Sequence, residues 1–320
     1  MKNYFKFNLT GKQLIPFLLV ILAMIAVSGL VIWVSGIQLK AMDIKTMEPF
    51  SILLLGVIYV VFVLSMFFIM YYLTKLIIEN IEYKERTFKF GGGFGEYLGI
   101  FFLGLFLSII TLGIYSPWFI RNMQRFYVDN SSYNESKLAF KGKGGELFVI
   151  ILLTYILPII FITIITGLFT LANGSQEPQA AKAIIQVVTT FIMIPFTYFL
   201  YKWMVNMEYK GFTITWNTDS WNACGKIFVQ VLLSVVTIGI YYPLAIVKLY
   251  KYFAEHTIAV SETGSKKFGY DLEPGKDFLF LWGQVLLIIV TLGIYYPWAF
   301  CKITNRVLGK SYSEEITVVE

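Results

Sequence analysis

Charge is what this 320-residue chain has least of. Asp, Glu, Lys and Arg make up 14% of it, against about a quarter in soluble proteins. One histidine and two cysteines extend the shortage. A lone His256 beside Glu255 excludes a His-based metal cluster and a duplicated catalytic histidine. Cys224 and Cys301 belong to no Cys-x-x-Cys pair, so neither a disulfide framework nor a thiolate metal site has support. No Ser, Thr or Cys sits in a recognisable nucleophile motif. Gly91-Gly-Gly-Phe-Gly95 lacks the Lys-Ser/Thr of a phosphate loop. The expectation is a protein without catalytic residues, cofactor or metal.

What the chain has instead is apolar length. Hydrophobic residues reach 57%, a surplus that a soluble core of this size cannot bury. Four uncharged runs, Leu14–Val34, Ser51–Thr74, Leu147–Leu171 and Ala183–Tyr201, each reach the roughly 17–25 residues needed to cross hydrocarbon as a helix. The basic start MKNYFKFNLTGKQ precedes the first run without an Ala-x-Ala cleavage site and reads as leading into a retained span. No ionisable group lies well inside the four runs, which removes the usual marker of an ion pathway. Gln186, Thr154, Thr163 and Thr166 read as helix-packing contacts, and Pro158 and Pro195 as kinks. The net charge of +6 fits lysine and arginine gathered at a cytoplasmic membrane face rather than nucleic acid.

The chain also repeats itself. Asn80-Ile-Glu82-Tyr83-Lys84 returns as Asn206-Met-Glu208-Tyr209-Lys210, and Pro117 returns as Pro243 at the same offset of 126. This divides the chain into a unit over 1–130, a second over 131–254 and a truncated third over 255–320. Short aromatic–polar alternations (4–9, 87–92, 138–144, 211–216, 267–272 and the tail 315–320) carry the period-2 signal of strands. Strands this short need partners, so they are expected to pair as small hairpins outside the bilayer. The fold class expected is an all-α polytopic membrane protein: a tandem-duplicated helical unit with short extramembrane β-hairpins, four full spans, and three broken segments.

Those segments end in one phrase, TLGIYSPW (111–118), TIGIYYPL (237–244) and TLGIYYPW (291–298). Proline clashes with the carbonyl four residues back, here that of Gly113, Gly239 or Gly293. Glycine just past a helix end suits a left-handed cap, and a residue before proline suits a new helix start. Gly113, Tyr115, Pro117, Gly239, Tyr241, Pro243, Gly293, Tyr295 and Pro297 therefore read as a helix-break motif: helix, turn, new helix, or one kinked helix. The helix after each break carries spaced cations among aromatics. Trp118, Arg121, Arg125, Lys248, Lys251, Trp298, Lys302 and Arg306 read as interfacial anchors. Only Lys40, Lys45 and Lys182 of the 26 basic residues fall in the loops of the two full hairpins. If the broken segments re-enter rather than span, nearly all positive charge shares one face with a cytoplasmic N-terminus, and the repeats are parallel. If they span, the repeats are inverted, as in many transporters.

Together, the Phe-rich stretch, the apolar helix, Thr-Leu-Gly-Ile-Tyr-x-Pro-Trp and the basic helix resemble the bacterial YjgN-like family of inner-membrane proteins, a domain of unknown function. The resemblance is clearest over Phe88–Arg125, Phe212–Lys251 and Phe268–Arg306, and Leu244 departs from it where the other copies have tryptophan. It implies a multi-pass protein of the bacterial inner membrane and transfers no catalytic residue. The function expected is a non-enzymatic membrane protein that organises or binds lipid, another membrane protein or further copies of itself. The alternative is a small-molecule transporter or channel lined by the broken segments.

Overall fold

A computed structural model describes residues 1–34, 49–172, 179–262 and 264–316. The chain runs as outgoing strand, pair of helices, returning strand, and does so five times among the described residues. The first unit is β1 (Asn3–Phe7), α1 (Gly11–Val34), α2 (Pro49–Glu79) and β2 (Ile81–Tyr83). The second begins with the split strand β3 (Arg86–Thr87) and β4 (Lys89–Phe90), then α3 (Phe94–Ile110), α4 (Ser116–Asp129) and β5 (Ser131–Tyr133). The third is β6 (Ser136–Phe140), α5 (Gly144–Ile151), a π-helical turn (Leu152–Ile156), α6 (Leu157–Ala172), α7 (Gln179–Met204) and β7 (Met207–Tyr209). The fourth is β8 (Phe212–Trp216), α8 (Ser220–Val236), α9 (Tyr242–Glu255) and β9 (Thr257–Ser261). The fifth is β10 (Gly264–Tyr270), α10 (Pro274–Val290), α11 (Tyr296–Gly309) and β11 (Ser311–Ile316).

The strands form one antiparallel sheet of 11, in the order β3-β2-β1-β11-β10-β9-β8-β7-β6-β5-β4. Its two edge strands, β3 and β4, are separated in sequence by Phe88 alone, so the sheet comes round on itself as a nearly closed barrel. At Phe88 the chain stops pairing with β2, where the Phe88 amide bonds Ile81 O at 3.0 Å, and starts pairing with β5, where the Gly91 amide bonds Asn130 O at 2.9 Å. Closure of this kind removes the exposed edges that short strands otherwise carry. The all-α expectation is therefore corrected. The strand signals at 4–9, 87–92, 138–144, 211–216 and 267–272 were real, but they join a single sheet instead of separate hairpins. Their partners begin immediately after helices, at Ile81, Ser131, Met207, Thr257 and Ser311, and three of them, β2, β5 and β7, are too short to show a period.

Register fixes where the helices attach. Phe7 faces Ile81, Phe140 faces Met207, Trp216 faces Thr257, and Tyr270 faces Ser311. Phe90 faces Ser131. Each pair marks the point where a helical hairpin leaves and returns, so all five hairpins attach at one rim. The opposite rim carries tight turns. Lys84-Glu85, Asn134-Glu135 and Lys210-Gly211 each put two successive residues at positive φ, from 47° to 77°, the backbone of a two-residue hairpin whose twist matches the strands.

No single large core exists among the described residues. Five small cores circle the rim, each seeded by the last inward residue of an outgoing strand: Phe7, Phe90, Phe140, Trp216 or Tyr270. Around Phe140, for example, pack Val128 of α4, Leu147 of α5 and Trp203 of α7. Each core thus joins a unit's own helices to the second helix of the unit before it, and Cys301 of α11 beside Phe7 closes the circle.

Three helices are long and apolar enough to cross a membrane among the described residues: Gly11–Leu30, Gly56–Glu79 and Gly144–Leu171. Four full spans were expected, and Ala183–Tyr201 is the one not found among them. The side chains of residues 183–185, at the start of that run in α7, lie outside the described ones, so the run falls only in part among the described residues. In the third span the π turn precedes Pro158, whose missing amide and ring disturb the ladder there. Lys40 and Lys45 lie outside the described residues.

Candidate membrane hairpins and barrel cavity

The TLGIY phrase is the tip of a helical hairpin. Its backbone bonds, all read from the second unit, run without a gap. Leu112 N–H reaches Ile109 O at 3.1 Å and Gly113 N–H reaches Ser108 O at 2.7 Å, the paired bonds of a Schellman cap. Ile114 N–H bonds Thr111 O at 3.1 Å, and Ser116 N–H bonds Gly113 O at 3.1 Å. Tyr115 N–H has no carbonyl in reach and uses Thr111 Oγ1 at 3.0 Å, while that hydroxyl donates to Leu107 O at 2.7 Å. Pro117 has no amide to satisfy. Thr237 and Thr291 do the same for Tyr241 and Tyr295, at 3.0 and 3.1 Å. The phrase is thus a recipe for a hairpin tip that leaves no backbone donor needing water.

The left-handed residue is not the glycine alone. Leu112, Ile238 and Leu292 each adopt φ 51°, followed by Gly113, Gly239 and Gly293 at 88°, 83° and 89°. A non-glycine residue there costs about 1 kcal/mol, more for β-branched isoleucine. These three strained side chains are also 93%, 92% and 93% exposed. Tyr115, Tyr241 and Tyr295 are the caps preceding the second helices, and Pro117, Pro243 and Pro297 stand at the second helical position. Ser116 makes no side-chain cap.

The eight residues read as interfacial anchors have protein partners. Trp118 stacks on Tyr115 and Trp298 on Tyr295, ring centroids 6.1 Å apart in both. Each indole presses on the glycine that opens the next unit's helix. A Cβ on Gly144 would lie 2.5 Å from Trp118, and one on Gly11 would lie 2.6 Å from Trp298. Where Leu244 replaces tryptophan, Gly275 faces open space. Arg121 bonds Asn122 at 3.0 Å, Arg125 pairs with Asp129 at 2.9 Å, and Lys251 with Glu255 at 3.6 Å. Lys248 donates to Tyr241 OH at 2.9 Å, which donates to Gln230 Oε1 at 2.8 Å. Lys302, Tyr295 and Gln284 repeat that relay at 2.9 and 3.2 Å.

Arg306 belongs to a network whose centre the sequence did not reveal. Asp277, in the first turn of α10, is 1% exposed. Its Oδ1 takes Arg306 Nε and Lys310 Nζ, both at 2.7 Å, and its Oδ2 takes the Glu273 amide at 2.9 Å. Burial pushes this carboxyl's pKa up, but Lys310, the Glu273 amide and Arg306 outweigh it and hold the group below the usual aspartate value. The aligned positions in the other short hairpins, Tyr97 and Ala223, are equally buried and uncharged, so no spacing rule could have found it.

Inside the barrel lies a cavity of about 610 Å³, its open mouth included, walled by residues of all five units. Phe5, Phe88, Leu138, Ile214 and Phe268 sit two positions before the five core-seeding residues and line it. Tyr83, Tyr133 and Tyr209 come from returning strands. The opposite strand face carries Lys6, Glu82, Lys89 and Glu208, so the alternation puts polar residues outside. The apolar phase of each outgoing strand was visible in sequence; that five would converge was not.

Residues 3–269 match the profile of a bacterial protein family of unknown function, DUF898. No curated protein and no solved structure matches the chain.

Proposed function

The chain belongs to that bacterial family of unknown function, and we propose that it is a non-enzymatic inner-membrane protein that holds its barrel on one face of the bilayer and grips lipid with its short hairpins. The observation that carries this reading is the strained, exposed Leu112, Ile238 and Leu292. Glycine at a left-handed cap relieves strain, so a bulky apolar residue retained there at three tips points to use of the side chain itself. Ile114, Ile240 and Ile294 extend each apolar tip, at 57–61% exposure. In water such tips are a liability; in the acyl region they are anchors, and their closed backbones cost nothing there.

The hairpins dip in and return. Each short hairpin is an apolar helix of 17 residues, about 25 Å long, joined to a more amphipathic one of 14 residues. Lys248 and Lys302 stand within two turns of their tips, which favours shallow insertion with the amines near the headgroups. All five hairpins leave one rim, and this favours parallel units arising by tandem duplication over inverted ones. The concentration of basic residues away from the long-hairpin loops supports a cytoplasmic side for the barrel and N-terminus.

Single cysteines at Glu85, Glu135, Lys210 and Glu262, in a chain carrying Cys224→Ser and Cys301→Ala, test the arrangement with a membrane-impermeant maleimide. All four turns are expected to stay unlabelled in intact cells and to label together once the cells are opened. Labelling of Glu135 and Lys210 positions from outside, with Glu85 protected, would mean that the segments cross.

A further inference from the structure

We propose that the barrel cavity is a binding site for a single-chain amphiphile carrying one negative charge, with Lys266 as the group that receives the charge. The wall chemistry leads to this ligand. Hydroxyls that could greet a polar molecule are already committed: Tyr83 OH and Ser313 Oγ share a bond of 2.6 Å, Tyr133 OH donates to Tyr83 O at 2.7 Å, and Tyr209 OH donates to Tyr133 O at 2.9 Å. The tyrosines therefore present rings, not oxygens, to the space. Burial raises the pKa of Tyr133 and Tyr209 above the ordinary phenol value, as a dry wall requires. A neutral polar guest would lose its hydrogen bonds to water and gain none.

One amine remains. Lys266 lines the cavity and lies 4.8 Å above the Phe212 ring. Among the described residues it forms no ion pair, although Glu315 stands opposite it in the strand register. Arg86 is the second cation near this mouth, close enough to act on Tyr133 and Tyr209. A chain lying against the aromatic walls with its anionic end at Lys266 satisfies every surface the cavity offers. The site is separate from the hairpin tips and does not depend on how they meet the membrane.

The test is native mass spectrometry of the full-length protein in detergent, offered palmitate, lysophosphatidylcholine, hexadecanol or hexadecyltrimethylammonium. Palmitate is expected to bind one per chain. Lys266→Met should weaken it about tenfold, the loss expected for one charge-assisted bond, and should leave hexadecanol unchanged. Ala259→Trp, which fills the cavity, should abolish both. Melting temperature reports whether that variant folds, and a photoreactive palmitate supplies a readout on the unaltered protein. Crosslinks in the peptides holding Phe5, Tyr133 and Phe268 support the site. Crosslinks confined to α1, α2 and α6, equal binding of the cationic chain, palmitate binding unaffected by Lys266→Met, or preference for lysophosphatidylcholine over palmitate would each overturn it.

Discussion

Asp277→Ala is expected to destabilise the protein by about 3–5 kcal/mol, because it strands two cations that the fold has largely removed from water. Arg306 and Lys310 retain only 26% and 19% of their side-chain exposure, and Glu273 pairs with Lys310 at 2.9 Å but reaches Arg306 only at 4.0 Å. Tyr270 and the α10–α11 pair share this corner, so the fifth core should loosen first. The informative comparison is a triple variant, Asp277→Leu with Arg306→Met and Lys310→Met. Replacing a buried charge group wholesale by apolar residues is commonly neutral or stabilising, so the triple variant should melt closer to the parent than the single one. The pH dependence follows from the depressed carboxyl. An unfolded aspartate titrates near 3.8. The network's contribution is therefore complete above that value and is lost as acid carries the pH down through the lower folded value. A thermal melt of Asp277→Ala that matches the parent at neutral pH would contradict this picture.

The second large effect is expected from Thr111→Val, Thr237→Val and Thr291→Val made together. Valine keeps the shape of threonine but not the acceptor, so Tyr115, Tyr241 and Tyr295 each lose the only partner of their amides. A donor left unmade away from water costs about 1–3 kcal/mol, and three tips on separate hairpins should add nearly independently. Serine at the same positions keeps the hydroxyl and should restore most of the loss. The environment matters as much as the bond. If the tips were in water, a solvent molecule would replace the lost hydroxyl and the variant would melt within a degree or two of the parent. A large drop in lipid nanodiscs, relieved in the serine variant, is the outcome the structure calls for.

These two cases mark how far the sequence could be read. The phrase around Pro117, Pro243 and Pro297 signals a helix break because proline's constraints are local, and Thr, Gly and Pro lie within seven residues. Gly113, Gly239 and Gly293 do stand at positive φ, but the residue before each is left-handed as well, since leucine and isoleucine at φ 51° defy the usual preference for glycine. The outgoing strands were legible from their alternation at Phe5/Phe7, Phe88/Phe90 and Phe268/Tyr270. Sheet closure was not, because it depends on β2, β5 and β7 of three residues each, and such segments carry no measurable period. Apolar runs exposed the membrane character of the chain, and three of the four runs stand as spans among the described residues. Asp277 and Lys266 were invisible for a different reason. Each acquires its meaning from partners far away in sequence, Arg306 and Lys310 for one and the walls of five strand pairs for the other.

The claim on which the account rests is that the three short hairpins end inside the leaflet beside the barrel. Depth at the tips measures it directly. Ile114→Cys, Ile240→Cys and Ile294→Cys, each alone in the Cys224→Ser, Cys301→Ala background, can carry a nitrobenzoxadiazole label in reconstituted vesicles. The account predicts emission quenched by lipids bearing a nitroxide on the acyl chain, and untouched by iodide added to either side. Quenching by iodide from the side opposite the barrel would show that the segments cross, and quenching by iodide from the barrel's own side would show that the tips never enter the lipid.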